Sequence, residues 1–179
     1  MFKKVLVPLD GSELAEAVLP CVEELGKRCA AEIILLQVVA IPRDTPTVSS
    51  YQTPMTLPGS TEDVVISRYP IHREQEMESL RIETERSLAA VKERLGKAGL
   101  RVRVEVLFGR PAERIVEYAS KEKVDLIAMS THGRSGFGRW IFGSVADKVL
   151  RAAALPILLI RPPGAADRYG RLPGVELEL

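Results

Sequence analysis

The sequence predicts an α/β fold, a single domain on a five-stranded, parallel, doubly wound sheet of Rossmann-like character. Three observations lead there. Five apolar runs, at residues 5–7, 33–39, 102–108, 126–129 and 157–160, are separated by segments whose apolar residues recur at helical spacing. Strands and helices that alternate in this way require right-handed crossovers, which place helices on both faces of a mostly parallel sheet. A chain of 179 residues buries one full core and leaves little for a second domain.

Val5-Leu6-Val7 opens as a buried strand that ends at Pro8-Leu9-Asp10-Gly11. Ser12 is expected to cap one helix whose Leu14, Ala17, Val18, Cys21 and Leu25 share a face, with a kink at Pro20. Residues 33–36 with Val38 and Val39 make the second strand. Residues 41–70 break the alternation: Pro42, Pro46, Pro54, Pro58 and Pro70 stand among many Ser and Thr, the composition of a Pro/Ser/Thr-rich insertion. A long helix follows, with Met77, Leu80, Thr84, Leu88, Val91 and Leu95 on one stripe and Gly96 and Gly99 to stop it. Val102, Val104, Val106 and Phe108 alternate as the third strand, and Gly109-Arg110-Pro111 turns into a helix that buries Ile115, Val116 and Ala119. Residues 126–129 are the fourth strand. The helix after Ser144 carries Ala146, Val149, Leu150 and Ala153 inward, and residues 157–160 close the sheet. Residues 162–179, rich in Pro and Gly, leave the core as a tail.

Charge and cysteine content exclude several classes. The formal net charge is +1 and neither sign forms a long block, so there is no footprint for nucleic acid or an anionic membrane. No stretch approaches the ~18 apolar residues of a membrane span, and the first residues lack the apolar centre of a signal peptide, which points to the cytoplasm. Cys21 and Cys29 lie two helical turns apart, too far for a disulfide, and are read as buried or half-buried thiols. No further Cys or nearby His completes a metal site.

The chemistry concentrates in Ser130-Thr131-His132-Gly133, nine further residues, and Gly143-Ser144-Val145, a glycine-bracketed loop between an apolar strand and a helix. A helix start presents backbone N–H groups without internal partners and partial positive charge, and Ser144 is placed to cap the helix or bind an anion. Arg134 and Arg139 add charge of the matching sign. The loop is not a P-loop: Gly138 and Gly143 have the Walker spacing, but Ser144 stands where the lysine belongs. Nor is it a dinucleotide fingerprint, because Ile141 occupies the third glycine position. His132 is read as a residue that orders its own turn, and Phe137, Trp140 and Phe142 as anchors of the loop. In a doubly wound sheet ligands bind at the carboxyl ends of the strands where strand order reverses, which gathers Pro8-Leu9-Asp10, Val38-Val39 and the glycine loop at one edge.

These residues carry a family resemblance. Lys4-Val5-Leu6-Val7-Pro8-Leu9-Asp10-Gly11-Ser12, Gly109-Arg110-Pro111, the stretch from Asp125 through Gly136 to Ala146, and Leu155-Pro156-Ile157-Leu158-Leu159-Ile160-Arg161 together resemble the universal stress proteins over residues 1–161. The resemblance implies an adenine nucleotide alpha hydrolase-like sandwich, commonly dimeric, whose ATP-binding branch shows glycine, two residues, glycine, nine residues, glycine, then Ser or Thr. Gly133, Gly143 and Ser144 match, and Ser130 replaces the first glycine. By the same resemblance Gly133, Gly143, Ser144 and Val145 would hold the phosphates and ribose, Asp10 would face the ribose or Mg2+, and Pro8, Leu9, Val38 and Met129 would line the adenine; Arg134 is a further phosphate candidate by its charge alone, with a solvated side chain as the alternative.

The expected function is therefore an ATP-binding stress or regulatory protein with little or no turnover. A nucleotide-free interaction module of the same family, a slow ATPase or phosphotransferase, and a receiver-like switch on Asp10 are the alternatives. Against the enzyme stand the missing lysine and the lack of a clustered acidic pair for catalytic Mg2+. Against the receiver, Asp10 is alone after its strand. The uniformly apolar last strand is expected at a sheet edge, covered by a second copy through residues 155–161.

Overall fold

Strands that are apolar at every position are stable only where both of their faces are covered. In the computed structural model, which describes residues 2–40, 70–131 and 143–162, the strands are β1 (Lys4–Leu9), β2 (Glu32–Val39), β3 (Arg101–Phe108), β4 (Leu126–Ser130) and β5 (Ile157–Ile160), and β1, β2 and β4, buried at most positions, meet that condition. The strands form an all-parallel sheet in the order β3-β2-β1-β4-β5. Successive side chains alternate between two cores. Val5, Val7, Leu9, Ile33 and Leu35 pack under α1 (Glu13–Glu16), α2 (Leu19–Cys29) and α3 (Pro70–Lys97). Leu6, Ile34, Leu36, Ile127 and Met129 pack under α4 (Pro111–Lys121) and α5 (Ser144–Ala152). The chain thus runs outward from β1 to β3 with its helices on one face. It then crosses on the other face to β4 beside β1, so the direction of winding reverses between those two strands.

Several local expectations are corrected. The helix after Ser12 is two helices, α1 and α2, separated at Ala17 and Val18. Pro20 has no N–H to give to Glu16 and its ring would strike that carbonyl, so it starts the second helix instead of kinking one long one. The break turns the buried set to Ala15, Val18, Leu19 and Val22, and leaves Leu14 and Cys21 exposed. Leu150 is likewise exposed, and Ala153 lies one residue past α5. Pro70, expected as the end of the insertion, already begins α3, while residues 41–69 lie outside the described residues. Gly96 belongs to the last turn of α3, and the stop falls at Gly99, whose φ of +87° only glycine adopts readily.

The stripe on α3 holds from Thr84 onward, with Leu88, Val91 and Leu95 buried. Buried Thr84 is tolerated there because its Oγ1 donates to the Leu80 carbonyl at 2.7 Å. At the amino end of the sheet Asp125 Oδ2 accepts the N–H groups of Lys3 and Lys4, each at 2.8 Å, and Lys4 Nζ donates to the Glu122 carbonyl at 3.0 Å. These bonds fasten the start of β1 to the chain entering β4. The amides of Lys4 and Lys3 hold the Asp125 carboxyl below the usual carboxylate range.

Candidate functional site

Parallel strands put all their carboxyl ends at one edge, and the winding reverses between β1 and β4, where ligands of such sheets bind. On the β1 side stands the β1–α1 turn. Gly11 takes φ of +79°, which turns the chain sharply enough for Asp10 Oδ1 to accept from Ser12 N at 3.0 Å and from Ser12 Oγ at 2.6 Å. Ser12 Oγ in turn accepts from the Ala15 N–H at 3.2 Å and caps α1. The Asp10 carboxylate is therefore fixed by the Ser12 turn at the carboxyl end of β1.

On the β4 side the described residues are the end of β4 and the start of α5. Ser130 and Thr131 are both buried where β4 ends, and the Thr131 N–H donates to the Ile160 carbonyl at 2.8 Å. The Gly143 N–H donates to the Thr131 carbonyl at 2.6 Å, which ties the start of α5 to the end of β4. The N-cap of α5 is Gly143 and not Ser144, which is the first helical residue and exposed. That corrects the expectation of a serine cap. Gly143 brings no side-chain acceptor to the start of α5, and its φ of −63° and ψ of 154° suit any residue.

The predicted site residues are only partly gathered on one side. Val38 and Met129 pack into the α4–α5 core, as does Val145, and strand alternation puts Pro8 on that face with Leu6. Leu9 points the other way, into the core under α1–α3. Gly133 and Arg134 lie outside the described residues, as do His132, Phe137, Arg139, Trp140 and Phe142. Two residues named in the sequence take roles not expected there. Thr131 ties α5 to β4, and its signal was only its place next to Ser130. Ser12 aims Asp10, and the Asp-x-Ser spacing of an Asx turn was the readable sign. Among the described residues no three His, Cys, Asp or Glu side chains stand together as a metal cage, and no helix is long and apolar enough to cross a membrane.

Comparison with known proteins places this geometry. The family model described as the universal stress protein family matches residues 1–161. Universal stress protein MJ0531 of Methanocaldococcus jannaschii is 32% identical over 163 residues, covering 91% of this chain and 84% of the relative. Universal stress protein MJ0577 of the same organism is 30% identical over 162 residues, 90% of this chain and 96% of its own. The solved MJ0577 structure superposes with a TM-score of 0.70 at 27% identity, covering 92% of this chain and 99% of that one. A universal stress protein family structure from Arabidopsis thaliana with AMP bound shares the fold, with a TM-score of 0.58 at 16% identity over 97% of this chain and 99% of its own.

Proposed function

The chain belongs to the universal stress protein family, and from that premise we propose that it binds ATP at the carboxyl ends of β1 and β4, in a regulatory or stress-response role with little or no turnover. The observation that carries the reading is the start of α5. Gly143 has a backbone conformation open to any residue, so its missing side chain is not a requirement of the turn. What it provides is close approach to the first amides of a nine-residue helix, where an anion is stabilised by backbone donors and the helix dipole.

In this reading Gly143, Ser144 and Val145, with Gly133 and Arg134, hold the phosphates and ribose. Pro8, Val38 and Met129 line the adenine, and Leu9 contributes main chain, since its side chain is committed to the other core. Asp10, aimed by Ser12, faces the ribose or a Mg2+ that arrives with the phosphates. One carboxylate suits an ion carried in by the nucleotide and not one the protein holds alone. Ser130 adds a hydroxyl where the family pattern has glycine. Low turnover is supported by Ser144 standing where a P-loop lysine would be and by Asp10 having no acid beside it in the sequence.

The functional domain is residues 1–161, active as a two-fold homodimer in which the apolar edge strand β5 and its flanks, residues 155–161, are covered by a second copy. A monomer in light scattering at tens of micromolar removes the dimer.

Calorimetry with ATP and Mg2+ on the wild type and on Ser130→Gly tests the binding. The expected result is binding by the wild type, equal or tighter in the variant. Binding confined to Ser130→Gly would move the chain to the nucleotide-free branch of the family.

A further inference from the structure

Among the described residues the sheet ends on β3 at one edge and on β5 at the other, and the two edges are treated differently. In a parallel strand the backbone groups of alternate residues point to opposite sides. The Gly109 N–H donates to the Val39 carbonyl at 3.0 Å, so odd-numbered residues at this end of the strand face β2 and the carbonyls of Val106 and Phe108 face outward. Both outward carbonyls are taken by arginines. Arg81 of α3 donates to Val106 O at 3.3 Å, and Arg114 of α4 donates through Nε to Phe108 O at 3.1 Å.

The two guanidinium groups arrive from opposite faces of the sheet, because α3 and α4 lie on opposite faces. Each is steadied from its own helix: Arg114 bonds Glu117 at 2.9 Å, and Arg81 lies 3.9 Å from Glu78 with its guanidinium carbon 5.5 Å from the centre of the Phe108 ring. Gly109 makes room for this. Its φ is +134°, and a Cβ there would stand 2.9 Å from Arg114 Nε. By contrast β5 carries only Ile and Leu, with no charged side chain in the strand.

We propose that Arg81 and Arg114 form a clamp that closes the outer edge of β3 to strand addition, so that a second copy of this chain cannot extend the sheet on that side. An edge strand presents a template for pairing with another chain, and a carbonyl already bonded to a guanidinium is withdrawn from that template. Association is thereby limited to the β5 side. Without the clamp, copies able to pair at both edges would add without closing.

The test is the full-length Arg81→Ala, Arg114→Ala double variant, followed by light scattering across a concentration series, with Val104→Pro added as a third change. The Val104 N–H points outward by the same alternation, so proline there removes an edge donor without costing a bond to β2. The expected result is that species larger than the wild-type assembly appear at a concentration at least tenfold lower in the double variant, and that Val104→Pro abolishes them. An unchanged mass in the double variant overturns the proposal. So do larger species that persist with Val104→Pro, since association would then not run through the β3 backbone. If circular dichroism shows the double variant unfolded, the single Arg114→Ala variant, altered at an exposed position, is read against the same two outcomes.

Discussion

At the amino end of the β1–β4 pair the N–H groups of Lys3 and Lys4 both end on the carboxylate of Asp125, whereas at the carboxyl end α5 starts on a glycine that brings no side-chain acceptor. The contrast is sharpened within the carboxyl end itself, because α1 starts a few residues after β1 with a complete cap from Ser12 and Asp10. Two helices leave neighbouring strands at the same edge. One is capped by its own Ser12 and the other starts on Gly143 with no side-chain cap. Where only stability is at stake the chain satisfies its own backbone donors. In the proposed reading the start of α5 leaves the negative charge for the ligand to supply.

The largest expected effect comes from making the two helix starts alike. Gly143→Asp supplies α5 with the cap it lacks and places a carboxylate where the phosphates would bind. ATP affinity should fall at least tenfold, about 1.4 kcal/mol or more. The melting temperature should hold or rise slightly, since Asp over Gly at an N-cap is worth only a few tenths of a kcal/mol. Calorimetry and thermal unfolding on one preparation read both. Equal ATP affinity in the variant would show that the start of α5 is not the anion site.

The converse change is smaller and falls on stability. Ser12→Ala removes the cap of α1 and one of the hydrogen bonds that aim Asp10, and should cost ~1 kcal/mol in urea unfolding. Its effect on ATP affinity should be less than that of Gly143→Asp. A variant as stable as the wild type would mean that the Asp10–Ser12 turn contributes little to the fold.

The smallest effect belongs to the amino end and is confined to acid. The Asp125 carboxyl is held low by the amides of Lys4 and Lys3, so the folded state keeps it ionised below the ordinary value of about 3.9. Its contribution is complete above that ordinary value and is lost as the pH falls through the lower, folded one. Glu122, held low by its hydrogen bond from Arg103, acts in the same direction. Between pH 5 and pH 2 the urea midpoint should therefore decline less steeply in Asp125→Asn than in the wild type. Identical slopes would show that the staple does not titrate with folding.

Much of the fold was readable because each core strand is apolar at nearly every position and each helix carries its own stripe. Ile115 and Ala119, Ala146 and Val149, and Leu88, Val91 and Leu95 are buried as their spacing requires. The misreadings came from short-range choices that spacing does not decide. Leu14 and Cys21 match the helical period after Ser12, but Pro20 breaks the helix and shifts the buried face to Ala15, Val18 and Val22. Ser144 is a good cap by residue type, yet the backbone leaves the extended conformation one residue earlier, at Gly143.

The sequence by itself determined that this chain would be a parallel α/β sheet, because the periodicity that marks its strands and helices is a local property. Strand order was decided only in three dimensions. That order puts Asp10 and Ser130 at neighbouring strand ends though they are far apart in the chain, sends Leu9 into one core and Val38 and Met129 into the other, and leaves β3 and β5 as the edges. Which strands neighbour each other depends on which face each crossover takes. That is settled by packing one apolar helix face against strands distant in sequence, a choice no single segment encodes.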